Sequence, residues 1–151
     1  MYSIDEIEDA IITALGPLKT SLGVRTIKTY SGELEKTDFK KMLDPLPAIY
    51  VAYGGSGIED HEIRQIEHPT FYIFVLDSNL RTEEESRRGG LHNPGTYAML
   101  KGVRELLINR SLGLEIAPFV LSREEVVGFV DGTSIYVAHY RTFQAFLAPF
   151  S

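Results

Sequence analysis

Residues 126–140 read VVGFVDGTSIYVAHY, two β-rich runs joined by Asp131-Gly132. Asp-Gly suits the two positive-φ positions of a type I′ turn, so the stretch predicts an antiparallel hairpin from Val126 to Val130 and from Thr133 to about Phe146. Working upstream, FYIFVL (71–76) ends a long run from about Glu62 and is apolar on both sides. A strand of that kind belongs at a sheet centre, covered on both faces. AIYVAY (48–53) and VRTIKTY (24–30) are rich in β-branched and aromatic residues and read as two more strands. Between AIYVAY and the long run, GGSGIEDHEIRQ predicts a glycine-rich hairpin connection. Leu114–Leu121 reads as a strand interrupted by Pro118, which suits an edge or a bulge.

Helical signals flank these strands. Ser3-Ile4-Asp5-Glu6 has capping-box spacing, and Ile4, Ile7, Ile11, Ala14, Leu15 and Leu18 follow at three- and four-residue steps. Gly16-Pro17 bends or ends this helix, and Leu22-Gly23 is its latest stop. Thr37 is a cap for a short helix over Asp38–Leu43, stopped by Asp44-Pro45-Leu46-Pro47. Asn93-Pro94 predicts a second long helix, with Asn93 as cap and Tyr97, Leu100, Val103, Leu107 and Ile108 on one face, closed by Gly113. The element order predicts an α+β domain, with a mainly antiparallel (mixed) sheet and two long helices packed on one face. The length of 151 residues fits a single domain, 1–151.

Composition removes several chemistries. There is no cysteine, so disulfides, thiolate zinc sites and a cysteine nucleophile are excluded. The formal net charge of −6 disfavours non-specific attachment to DNA phosphates or to an anionic membrane surface. The first ten residues, MYSIDEIEDA, are acidic where a secretory signal is basic, and no apolar run approaches the roughly 20 residues of a membrane span. The expectation is a cytoplasmic, soluble protein without cofactor.

Catalytic or metal-binding constellations are thin. Asp60, His61, Glu62 and His68 carry ligand atoms, but on one extended segment His61 and His68 fall on opposite faces. Tyr53-Gly54-Gly55-Ser56-Gly57 lacks the Lys-Ser/Thr pair of a phosphate loop and precedes no helix. Ser122, Ser134 and His139 lack a nucleophile-elbow motif, and His139 sits in the alternating strand IYVAHY.

The densest charge lies in RTEEESRRGGLHNPGTYAML (81–100), between the most apolar strand and the best amphipathic helix. Arg81, Glu83, Glu84, Glu85, Arg87, Arg88, Gly89 and Gly90 predict a mobile loop that becomes ordered against another chain. There the charges select partner and register, and Gly89-Gly90 lets the loop change shape. A rival reading places an anion at the helix start, on Asn93, Gly95 and Thr96, with Arg81, Arg87 or Arg88 nearby, as in a small ligand-binding or enzymatic domain. The glutamates argue against a strong anion site. The apolar tail FQAFLAPF (143–150) is expected either to fold into the core or to be buried in a neighbour.

Taken in order, VRTIKTYSGEL, LPAIYVAYGGSG, a strand ending FVLDSNLR, RRGG and PGTYAMLKGVRELL before GLEI resemble the Mu-like bacteriophage family of small tail proteins, over roughly Ile4 to Phe146. The resemblance implies a tail-terminator-like fold and a non-enzymatic neck or tail-completion protein. It implies a homo-oligomeric ring, a hexamer, on the head-proximal end of the tail tube. Its partners would be the tube and the head-tail connector, with the sheath as a further candidate. DNA would pass through the ring without specific binding. An adaptor that stays monomeric and meets the tail only transiently is a further alternative.

Overall fold

The computed structural model describes residues 2–32, 44–79 and 81–147. The short helix expected over Asp38–Leu43, with its cap Thr37, lies outside the described residues, as does Phe150. Helix α1 (Ile4–Leu15) begins with the full capping box: Ser3 Oγ accepts from the Glu6 N–H, and the Ser3 N–H donates to Glu6 Oε2 at 2.7 Å. Gly16 and Pro17 keep helical angles, so the chain turns directly into α2 (Leu18–Ser21), and Gly23 closes it at φ 70°.

Among the described residues six strands follow, β1 (Thr26–Thr29), β2 (Ala48–His61), β3 (Arg64–Ser78), β4 (Val120–Val130), β5 (Thr133–Arg141) and β6 (Gln144–Leu147). They form one sheet in the order β1-β2-β3-β5-β4, with β6 also paired to β3. Among these six strands only β1 and β2 pair in parallel; the other strand pairings are antiparallel. The Asp131-Gly132 hairpin and the central place of FYIFVL in β3 are as expected, with φ of 50° and 78° at the turn. Helices α3 (Glu83–Arg88) and α4 (Thr96–Leu107) lie between β3 and β4.

The two faces of the sheet are buried differently. Ile49, Val51, Phe71, Ile73, Val75, Ala138 and Tyr140 point to one face and form a single core with Ile7, Ile11 and Leu15 of α1 and with Met99, Val103 and Leu107 of α4. On the opposite face Ala48, Tyr50, Leu76 and Ile135 form a smaller cluster, joined by Tyr30, which stacks on Phe74 at 5.3 Å. Tyr50 is fully buried, and its hydroxyl donates to Asp44, a residue also paired with Lys28 at 2.7 Å. The Lys28 ammonium holds the Asp44 carboxyl below its ordinary pKa.

Several boundaries differ from the sequence reading. Two long helices were expected on one face, the first bent or ended at Gly16-Pro17 and the second closed by Gly113; α1 stops at Leu15 and α4 has 12 residues, so that pair of long helices is not found. Asn93 does not cap α4; Gly95 does, at φ 87°, because the Asn93 side chain is engaged elsewhere. At the other end Ile108 turns extended to bridge Phe119, so α4 stops well before Gly113. Tyr97 is 46% exposed and not on the buried face. The expected strand Leu114–Leu121 is irregular up to Pro118, and β4 then runs from Val120 to Val130 with register shifts at Leu121/Arg123 and Val126/Gly128.

The largest correction concerns GGSGIEDHEIRQ, which is not a connection. β2 continues through it to His61, and the turn is Glu62-Ile63 with Glu62 at φ 62°. The glycines serve a bulge between Tyr53 and Ser56; a Cβ on Gly54 would strike the Tyr72 ring. The result is a projecting arm made of the far half of β2, the near half of β3, and β6.

Candidate functional site

The charged segment after β3 is built around a buried carboxylate. Asp77, 2% exposed, ends the apolar run of β3 and turns toward the helix-bearing face. Its Oδ2 accepts from Asn93 Nδ2 at 2.9 Å and from the Gly95 N–H at 2.7 Å, and its Oδ1 accepts from the Ser78 N–H. Asn93 also donates to the Glu85 carbonyl and accepts from Asn79 Nδ2. The buried Ser134 hydroxyl donates to the Ser86 carbonyl and lies 3.1 Å from Thr96 Oγ1. Burial raises the Asp77 pKa, and the hydrogen bonds from Asn93, Gly95 and Ser78 oppose that rise.

This knot changes the reading of residues 81–90. The expected mobile loop is helical from Glu83 to Arg88, capped by Thr82, whose Oγ1 accepts from the Glu85 N–H, with Ser86 fully buried. Glu83 pairs with Arg87 at 2.5 Å and Glu84 with Arg88 at 2.9 Å, each one helical turn apart. Gly89 and Gly90 are not hinges: a Cβ on Gly89 would meet the Pro94 carbonyl, and one on Gly90 would meet Asn79 and Asn93 side chains. Gly95 packs against the backbone of Arg87 and Gly89 in the same way. The segment is therefore a rigid bracket with Glu83, Glu84, Arg88 and Leu91 outward, Leu91 being 85% exposed.

The same geometry speaks against an anion at Asn93, Gly95 and Thr96. The Gly95 N–H already serves the Asp77 carboxylate, and the Thr96 hydroxyl is buried against Ser134. An incoming anion would have to displace a carboxylate of like charge. Arg87 and Arg88 are held by Glu83 and Glu84 on the outer surface of α3.

The other candidates separate. His61 and His68 share a face, contrary to the expectation, because the turn at Glu62-Ile63 puts them on different strands. Both rings face Glu59, His68 at 2.8 Å and His61 at 3.3 Å, which lowers the Glu59 pKa. Among the described residues no group of three or more such side chains is arranged to hold a metal ion. Ser122 donates to the His139 backbone carbonyl, while the His139 ring faces Glu125 and Tyr72 on the sheet's opposite side from Ser134. Neither Ser122 nor Ser134 is thereby placed against the His139 imidazole.

Sequence reasoning missed two surfaces. One is the outer edge of β4, the last strand of the sheet, where Val120, Val126, Val127, Phe129 and Val130 are 42–64% exposed. Beside it, a groove of about 570 Å³ opens between α4 and the sheet, lined by Tyr97, Leu100, Lys101, Arg104, Val126 and Tyr136, among others. Arg104 crosses its floor to grip the Glu124 carboxylate with both Nε and Nη2. The other surface is the arm tip, exposed throughout from Gly57 to Arg64, with Ile58 and Ile63 at 52% and 60%. An apolar residue on each side of a charged run was the available signal, hidden by reading the segment as a loop.

With this geometry in view, the family described as "Bacteriophage Mu, Gp37" matches residues 3–145. Among solved structures, a chain of the "Virion of native gene transfer agent (GTA) particle" superposes with a TM-score of 0.60 at 15% identity, covering 95% of this chain and 98% of that chain. At that identity the likeness is one of fold. No curated protein matches by sequence.

Proposed function

This chain belongs to the bacteriophage Mu Gp37 family, and on that premise we propose that it is a non-enzymatic structural component of a phage or prophage virion. Within that class the reading is a tail terminator or closely related neck protein acting as a single domain. It forms a homo-oligomeric ring, a hexamer, that caps the tail tube and joins it to the head-tail connector. It is made in the host cytoplasm and ends in the tail.

The observation that carries this reading is the mutual coverage with a virion chain: 95% of one and 98% of the other align, so the likeness of fold runs over nearly all of both. The form of the surface supports it too. A ring of identical subunits needs two different complementary patches on each chain, and closure sets the copy number. The bracket Arg81–Gly90 offers a fixed charged patch, whose residues Arg81, Glu83, Glu84, Arg87 and Arg88 we assign to contact with a neighbour or the tube. Glu85 and Gly89-Gly90 hold that patch in place.

The test is deletion of the gene followed by electron microscopy of the particles. Tails of uncontrolled length that fail to join heads, restored by the wild-type chain, are expected. Normal tails and normal infectivity without the gene would overturn the reading.

A further inference from the structure

The sheet has two open edges of unlike character. On the outer side of β2, the four residues of β1 cover only Ala48–Val51, so among the described residues no strand lies against Tyr53–His61. Among the described residues, no strand lies on the outer side of β4 along Val120–Val130. Long open edges invite pairing, and monomeric proteins blunt them with proline, with twist or with a covering element. β4 contains no proline; its pairing with β5 shifts register at Leu121/Arg123 and Val126/Gly128, yet it still carries five exposed apolar side chains.

The edges also match chemically. Along the arm, Ile58 and Asp60 stand opposite Glu67 and Gln65, and so point to the same face of the sheet as Phe71 and Ile73 in the helix-packed core. The groove beside β4 lies on that face too, since it is lined by α4 and by Val126 and Tyr136. An exposed isoleucine on one edge thus corresponds to an open apolar groove on the other. Lys101 on the groove rim has no ion pair among the described residues, and neither do Asp60 and Glu62 on the arm. The other charged groups of the groove are paired, Arg104 with Glu124 and Glu125 with Arg123 and His139.

A chain cannot join its own two edges. The arm's Ile58 faces Glu67, whereas Val126 faces Tyr136 and through it Val75, eight residues further along β3. At 3.3 Å per residue that is about 26 Å, and the two sites lie at opposite edges of the sheet, on the same face.

We propose that the arm of one copy adds to the β4 edge of the next, antiparallel, with Ile58 in the groove beside Val126 and Asp60 paired with Lys101. β1 blocks Ala48–Val51 at one end of β2, so successive copies are staggered, as a sheet that closes on itself requires. The contact is head-to-tail and so generates a ring or a filament. This inference deepens the ring reading above and rests on it for closure. It assigns the main subunit contact to the arm and β4, leaving the outer face of α3 for a neighbour's rim or the tube.

The test uses Ile58→Asp on the arm and Val126→Asp on β4, both exposed positions where circular dichroism should show an unchanged fold. Wild-type protein should assemble in light scattering across a concentration series, and each variant alone should associate at least about tenfold more weakly. Mixed one to one, the variants retain one good arm and one good groove, so they should form heterodimers and nothing larger. Asp60→Lys and Lys101→Glu should each weaken assembly, and together restore it. Assembly of Ile58→Asp at wild-type strength, a wild-type chain that stays monomeric at millimolar concentration, or a mixture that stays monomeric would each overturn the proposal. Tail assembly with the same variants separates the two claims. Loss of the contact with normal tails would refute the terminator reading alone, and persistent assembly of Ile58→Asp with overlong tails in the gene deletion would refute the edge contact alone.

Discussion

Replacing Asp77 with alanine should destabilise the fold by about 2–4 kcal/mol, a value built from three donors that would lose their acceptor. The Gly95 N–H is buried and has Asp77 as its acceptor, so its desolvation is uncompensated, at about 1–3 kcal/mol. Asn93 Nδ2 keeps the Glu85 carbonyl, so its loss is smaller. The Asp77 carboxylate also answers the positive end of α4 in place of an ordinary side-chain cap, a contribution of about 1 kcal/mol. Against these stands relief of the burial that raises the Asp77 pKa, which keeps the total below the simple sum. For a chain of this length the change corresponds to a fall in Tm of about 5–15 °C. Asp77→Asn retains one acceptor oxygen and should lose about 1 kcal/mol or less. Calorimetry and urea titration measure both variants, and hydrogen exchange should quicken at Gly89 and Gly90 more than in the centre of β3. An alanine variant melting within about 2 °C of wild type would refute the account of the knot, as would an asparagine variant equally damaged.

The pH dependence has a definite sign. Because the folded-state pKa of Asp77 is raised, its contribution is fully present below the unfolded value and is lost as pH rises through the folded value. The stability of wild type relative to Asp77→Asn should therefore be greatest in acid and decline toward neutral pH, measured by urea unfolding at several pH values; a difference growing with pH would contradict this. Asp5, Asp44 and Glu59 have lowered pKa values and act in the opposite direction, but they are common to both proteins and cancel in the difference. Gly95→Ala forces a side chain onto the backbone of Arg87 and Gly89 at φ 87°, and should destabilise by more than about 2 kcal/mol in a thermal melt. Tyr140→Phe should be neutral or stabilising by up to about 1 kcal/mol, because the buried hydroxyl has no hydrogen-bond partner among the described residues. Arg87→Ala with Arg88→Ala removes two surface pairs and should change stability by less than about 1 kcal/mol while impairing tail completion; normal tails would remove these arginines from the interface.

Elements whose signal is local were legible in the sequence. The capping box at Ser3, the Asp131-Gly132 turn and the unbroken apolarity of FYIFVL each act through neighbouring residues, so α1, the β4–β5 hairpin and the central strand follow from spacing alone. Tertiary competition decided the rest. Asn93 has the chemistry of a helix cap, yet Asp77, distant in sequence, draws its side chain away and hands the cap position to Gly95. The glycines at 54, 55 and 57 have the composition of a loop, yet pairing with β3 on one side carries β2 straight through them. Helical character at Glu83–Arg88 was present in the Thr82 cap and the Glu-Arg spacing, but the density of mixed charge masked it. Ser86 and Ser134 meet across nearly 50 residues, a contact that no local pattern reports.

The rigidity of this bracket alters what its charges do in assembly. A disordered loop that folds on docking loses conformational entropy at that moment, and the loss weakens the contact. Here Asp77, Asn93 and Ser134 have ordered the backbone in advance, and Glu83 with Arg87 and Glu84 with Arg88 are paired within the helix. A partner therefore meets a patch whose positive and negative groups are already paired, so net attraction is small and misregistered docking sets like charges against each other. The bracket acts on register, whereas Ile58, Val126 and the open strand edges supply apolar area and unpaired backbone. Removing the charges of α3 should leave copies able to associate but less selective about how. Removing the apolar pair should leave correctly shaped copies with little to hold them together.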